Sequence, residues 1–267
     1  MATASATLHR LRRTVAAIEA SHAGPLDEGA QPLALGCDGI DAALGGGLGA
    51  GTLHEVAPAA PLHAGAASGF VLALAAQMDA TKRMLKRTFK RTLWIRPGHV
   101  DGETGGLYGH GLTAFGLPLD RLLMLRVTQA RDVFWAMEEA LRCRALGCVI
   151  AELPNDGPAA DLTATRRLTL AAREGGGFGF LLRHRACALT SAADTRWEVA
   201  GCASRPDHFG GLGRPAFSLS LTKNRRGPLG RWTVTWDHHE RSFSALSVGM
   251  AAPAADRPAR APLARAG

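Results

Sequence analysis

The residues of this chain that could do chemistry fall into three groups: a glycine run, a few carboxylates, and two clusters of cations. Gly45-Gly46-Gly47-Leu48-Gly49-Ala50-Gly51 has the composition of a loop whose backbone amides could cradle a phosphate. Such a loop must follow a strand and open a helix, so that amides and the helix N-terminus converge on the anion. This run instead follows a short helix (Asp38–Leu44) and precedes the first strand, so it reads as a tight turn. The strand–loop–helix position comes later, from Ala57-Pro58-Ala59-Ala60-Pro61 to Ala67-Ser68-Gly69. It holds no Lys to meet the β- and γ-phosphates; the chain has only Lys82, Lys86, Lys90 and Lys223, and none follows a Gly. Pro58 and Pro61 lack amide hydrogens, and Ser68 alone offers a hydroxyl for a Mg²⁺ shell. Where an ATPase usually carries an Asp for that shell, Val149-Ile150-Ala151 ends in Glu152, whose longer side chain changes the geometry. Ala57, Pro58, Ser68, Gly69 and Glu152 thus read as a degenerate nucleotide site, with no cofactor and no catalytic residue.

The remaining carboxylates do not form an acid/base pair. Glu103 lies in a Gly-rich segment, and Glu138-Glu139 fall on the charged, solvated face of an amphipathic helix. There is no Gly-x-Ser-x-Gly elbow and no Cys/His pairing in local sequence. Ten histidines are scattered without Cys or carboxylate at ligand spacing, so no metal is expected. The five cysteines include no Cys-x-x-Cys and read as reduced core thiols of a cytoplasmic protein. Among the cations, Lys82-Arg83, Lys86-Arg87 and Lys90-Arg91 repeat every four residues, which on a continuing helix makes one stripe. Like charges so placed repel unless an anion neutralises them, which points to DNA or an acidic protein as partner; a solvated helix end is the alternative. Lys223, Arg225, Arg226 and Arg231 crowd a ribbon turn and suit phosphate or carboxylate contact, or a solvent-exposed hairpin shaped by Gly227-Pro228.

The elements that must position these residues alternate. Strands are expected at Thr52–Val56, Thr92–Arg96, Leu122–Val127, Cys148–Leu153 and Phe178–Arg183. Helices are expected at Gly69–Arg83, with Phe70, Leu74 and Met78 on one face, at Arg131–Ala145, and at Asp161–Arg173. Apolar strands separated by helices predict an α/β fold, a mostly parallel twisted sheet flanked by helices. After Thr190 the period becomes two: Phe217, Leu219 and Leu221, then Trp232, Val234 and Trp236, predict a C-terminal antiparallel β-ribbon. Trp94, Phe134, Trp135 and the ribbon tryptophans read as core or sheet-face residues. Residues 1–32 read as a basic N-terminal helix and linker, 33–246 as the folded domain, and 247–267 as a disordered Ala/Pro/Arg-rich tail. No apolar run is long enough for a membrane span, and a net charge of +8 permits a polyanionic partner.

Leu35-Gly36, Ile40-Asp41, Leu44-Gly45-Gly46-Gly47-Leu48, Gly51, Leu53 and Glu55-Val56 resemble the opening of the RecA superfamily core, just upstream of its phosphate loop. Lys223-Asn224-Arg225, followed by Pro228, resembles the RecA-family turn that reaches a neighbouring subunit's nucleotide. Within the superfamily the likeness is to the ImuA family of damage-inducible mutagenesis proteins. His54-Glu55-Val56, the lysine-free Ala66-Ala67-Ser68-Gly69-Phe70, Leu93-Trp94-Ile95-Arg96 and Gly106-Leu107-Tyr108-Gly109 carry it. It covers residues 33–246 and implies a RecA-like fold, a place in the SOS response, and a non-catalytic accessory role in error-prone translesion synthesis. The partners it implies are an ImuB-like inactive polymerase relative, a specialised replicative-type polymerase, and RecA or its filament. Two alternatives stay open: an atypical ATPase in which Arg96, Arg126 or a neighbour's Lys223 replaces the lost Lys, and a SulA-like inhibitor of cell division.

Overall fold

The computed structural model describes residues 31–84, 90–153, 161–186 and 189–246, with the side chains of 82–84, 103–104 and 130 excepted. The expected N-terminal helix, the tail beyond 246, Lys86 and Arg87 lie outside the described residues, as do the side chains of Lys82, Arg83 and Glu103.

One nine-stranded sheet organises the chain, in the order β3-β2-β4-β5-β1-β6-β7-β8-β9. The strands are β1 (Thr52–Pro58), β2 (Arg91–Pro97), β3 (Leu122–Val127), β4 (Leu146–Leu153), β5 (Phe178–Arg183), β6 (Thr195–Gly201), β7 (Ala216–Asn224), β8 (Gly230–Asp237) and β9 (Ser242–Ala245). β1 to β6 run parallel and β6 to β9 antiparallel, which is the RecA-like α/β architecture the sequence implies. β1, β4 and β5 are buried at every position because helices cover both faces, as continuous apolar runs require.

Three helices form the cover: α2 (Ala64–Met84) on one face, α5 (Ala130–Arg142) and α6 (Leu162–Gly175) on the other. The short α1 (Asp38–Ala43), α3 (Val100–Thr104) and α4 (Gly109–Ala114) fill connections. The α2 face packs Phe70, Trp94, Phe180, Trp197, Phe217 and Trp236; the other packs Ile95, Met137, Leu141, Leu168 and Leu181. Asp161 caps α6 by accepting from the Ala164 amide at 2.8 Å. A Cβ on Gly175 would lie 1.9 Å from the Leu141 carbonyl oxygen, so glycine permits the close approach of α6 to the end of α5.

The glycine run is a turn, as its position predicts. Gly45, Gly46 and Gly47 all have positive φ, and Leu33 and Leu48 exchange backbone hydrogen bonds across it.

Several expectations need correction. The ribbon is no separate appendage: β6 lies between β1 and β7, and β9 extends the sheet beyond β8. β6 escapes a search for apolar runs because Arg196 and Glu198 alternate with its buried Thr195, Trp197 and Val199. β3 is expected to be a buried strand, yet as the sheet's terminal strand it leaves Leu123, Met124 and Leu125 exposed. The six-charge helical stripe does not form as drawn. α2 ends at Met84, and Arg91 opens β2 with Lys90 just before it, so these two cations are not helical. Glu138 is buried rather than solvated, held by Arg142 and Arg167, whereas Glu139 is exposed. Trp94 and Trp236 are core residues as expected, but Trp135 stands 67% exposed on α5.

Candidate functional site

In open α/β sheets, ligands bind beyond the carboxyl ends of the strands. Here that row of positions carries charge. Arg96 on β2, Arg126 on β3, Glu152 on β4 and Arg183 on β5 each close or nearly close an otherwise apolar strand.

The connection from β1 to α2 is closed against phosphate by its own backbone. Pro58 and Pro61 have no amide hydrogen, the Ala59 amide donates to the Val199 carbonyl, and the His63 amide donates to the Ala60 carbonyl within a 3₁₀ turn, Pro61–His63. α2 begins at Ala64, one turn earlier than its apolar periodicity suggests. Ser68 and Gly69 therefore sit inside the helix, with Gly69 facing Phe217 and Phe115, instead of at its N-terminus. Ala57 and Pro58 are buried residues of β1 itself.

Glu152, the carboxylate at the metal-shell position, is 3% exposed and fully engaged. Trp94 donates its indole Nε1–H to Oε1 at 2.7 Å; Arg96 Nε and His184 Nε2 lie 3.3 Å and 3.2 Å from Oε2. Arg96 continues to Asp101 (Nη1 to Oδ1, 3.1 Å), and Asp101 to Arg126 (Oδ2 to Nη2, 2.8 Å). The result is a ladder of alternating charge, Arg126–Asp101–Arg96–Glu152–His184, across the ends of β3, β2, β4 and β5. A guanidinium occupies the flank of Glu152 that a divalent cation would need. Among the described residues, no three His, Cys, Asp or Glu side chains come together as a metal site.

A second ion cluster lies on β1, β5 and β6. Glu55, wholly buried, receives Arg183 Nη2 at 2.8 Å and Arg196 Nε at 2.6 Å. Burial alone would raise its carboxyl, but the two guanidiniums hold it below the usual carboxylate range. Arg196 also donates to the Leu189 carbonyl and Lys223 to the Ser191 carbonyl, pinning the segment between β5 and β6. The Lys223 ammonium sits below its ordinary value, first through burial and then through nearby Arg225.

The β7–β8 turn folds back on its own chain. Arg226 Nε meets Asp194 at 2.9 Å, the Arg225 amide donates to the Asp194 carbonyl, and Asn224 donates to the carbonyls of Ala43 and Pro228. Lys223 and Arg226 are thus engaged within the chain, while the Arg225 and Arg231 side chains are exposed. The ladder's Asp101 and His184, and the Glu55 partners Arg183 and Arg196, are not among the residues sequence reasoning selects. The available signal is a charged residue terminating an apolar strand.

No family model matches the chain. It is 31% identical to Protein ImuA of Caulobacter vibrioides over 217 residues, 76% of this chain and 82% of the relative, in two strains. The chain belongs to the ImuA family. A partial likeness to the cell division inhibitor SulA of Edwardsiella piscicida, 30% identical, spans 128 residues, 47% of this chain and 69% of that protein. Among the described residues of this ImuA-family chain, no helix is long and apolar enough to cross a membrane.

Proposed function

We propose that this chain is a non-catalytic RecA-like docking protein of damage-inducible, SOS-type mutagenesis. It supports error-prone translesion synthesis by scaffolding an ImuB-like inactive polymerase relative with a specialised replicative-type polymerase, and by engaging RecA filaments. Membership in the ImuA family supports the mutagenesis role. The observation that carries the non-catalytic reading is the Arg96–Glu152 pair, together with the amide-poor 3₁₀ turn where a phosphate cradle would lie. The same pairing argues against Arg96 as a substitute for the lost Lys, since its guanidinium is buried between Glu152 and Asp101.

Docking is supported by β3. An edge strand presents unpaired backbone groups to a further strand, and here Leu123, Met124 and Leu125 are exposed along it. The test has two arms. Titration with a fluorescent ATP analogue and Mg²⁺ should give no saturation at micromolar concentration; clear Mg²⁺-dependent saturation overturns the reading. Leu123→Lys/Leu125→Lys should abolish co-purification of the polymerase-like partner while shifting stability by no more than about 0.5 kcal/mol per site, because both side chains are exposed. The partial SulA likeness favours one second reading, inhibition of cell division. Co-purification with the division GTPase instead of a polymerase relative would select it.

A further inference from the structure

Beyond β7, at the opposite end of the sheet from β3, a cavity of about 420 Å³ opens between the 202–215 loop and strands β8 and β9. Arg205, Asp207, Arg214, Thr235, Ser244 and Leu246 form much of its wall. The loop above it is built rather than slack. Asp207 Oδ1 accepts from the amides of Phe209 (2.9 Å) and Gly211 (2.7 Å), Gly210 turns the chain at φ +79°, and a Cβ on Gly213 would lie 1.6 Å from the Arg205 carbonyl oxygen. This fixed turn holds Phe209 85% and Leu212 98% exposed. Large apolar side chains held rigidly in solvent at a cavity rim are the anatomy of a contact surface.

The wall's chemistry selects the occupant. Its hydroxyls, Thr235 and Ser244, hydrogen-bond each other at 2.9 Å. Asp207 is engaged with loop amides, and the neighbouring Asp237 with Arg214 Nη2 (2.7 Å) and the amides of His239 and Glu240. Arg214 remains 59% exposed, and Arg205 is exposed beside it. Guanidinium forks of this kind bind carboxylates, and the chain as a whole is basic at +8. We propose that this cavity and its Phe209/Leu212 rim dock an extended acidic segment of a partner protein, with carboxylates on Arg205 and Arg214 and apolar side chains against Phe209 and Leu212. The chain's own residues 247–267, which begin beside Leu246, match less well: Arg257, Arg260 and Arg265 stand against the single acid Asp256. The surface is separate from β3 and stands whether or not the docking function above is correct.

The full chain is titrated with a short fluorescein-labelled peptide in which Asp and Glu alternate with Leu and Phe, followed by fluorescence anisotropy. Saturable binding is expected. It should weaken about tenfold for the Asn/Gln version of the peptide, for Arg205→Gln/Arg214→Gln, and for Phe209→Ser/Leu212→Ser. The exposed pair Arg144→Gln/Arg173→Gln on another face should leave it unchanged. Absence of saturation, equal binding of the uncharged peptide, or equal loss in the control pair overturns the proposal. So does displacement by a single-stranded oligonucleotide that itself loses affinity in the Phe209/Leu212 variant, which assigns the surface to DNA. A synthetic 247–267 peptide that outcompetes the acidic one assigns it to the chain's own terminus.

Discussion

Replacing Arg96 with Met tests the ion ladder directly. Glu152, 3% exposed, would lose the guanidinium 3.3 Å from Oε2 and keep only the Trp94 and His184 contacts; Asp101 would fall back on Arg126, which is 67% exposed. Removing one member of a buried pair costs about 3–5 kcal/mol. Two donors to Glu152 survive, so the lower end applies, about 3 kcal/mol. At about 2–4 °C per kcal/mol for a domain of this size, the melting temperature should fall by about 6–12 °C. Arg96→Met/Glu152→Gln removes both charges and keeps an acceptor for the Trp94 indole. It should recover to within about 1 kcal/mol of the parent protein. Urea denaturation of the parent, both single variants and the double variant closes the cycle. A single-variant cost under about 1 kcal/mol, or a double-variant cost equal to the sum of the singles, would refute the coupling of Arg96 to Glu152.

Two further outcomes follow from buried groups. His54 is enclosed between Thr52, Thr195 and the Gly49 carbonyl, and burial lowers its pKa from 6.5 to about 4. The unfolded chain therefore binds more protons between those values, so the neutral ring's contribution is complete above pH 6.5 and is lost on acidification towards pH 4. The loss amounts to about 3 kcal/mol, and His54→Asn should flatten that limb of a urea-midpoint profile against pH; an unchanged limb contradicts the assignment. Lys223→Met removes the donor to the Ser191 carbonyl, worth about 1 kcal/mol, and should speed amide exchange about fivefold across residues 189–194 while leaving the β4 core unchanged. Unchanged exchange there would show that the ammonium does not hold the segment.

What the sequence discloses depends on how locally each feature is determined. Leu122–Val127 and Phe178–Arg183 form strands over just the residues expected, because compact apolar runs between turn signals specify both ends. The early start of α2 is hidden because Ala64-Gly65-Ala66-Ala67 carry neither a cap nor an apolar stripe. β9, four residues with two serines, is too short to show a period. At the candidate site, the missing Lys and the Glu at position 152 are plain in the sequence, and so is the glycine run's role as a turn. That Arg96 and His184 meet Glu152 is not, since β2, β4 and β5 become neighbours only through parallel pairing between distant segments.

The guanidinium beside Glu152 is covalently part of the chain and cannot be exchanged, consumed or washed away. Proteins that keep a replaceable ion at such a position can time their attachments by turnover. A fold closed by its own arginine has no such clock. Its complexes then last as long as their dissociation rates allow, and how much protein the cell makes becomes the principal control over when they form.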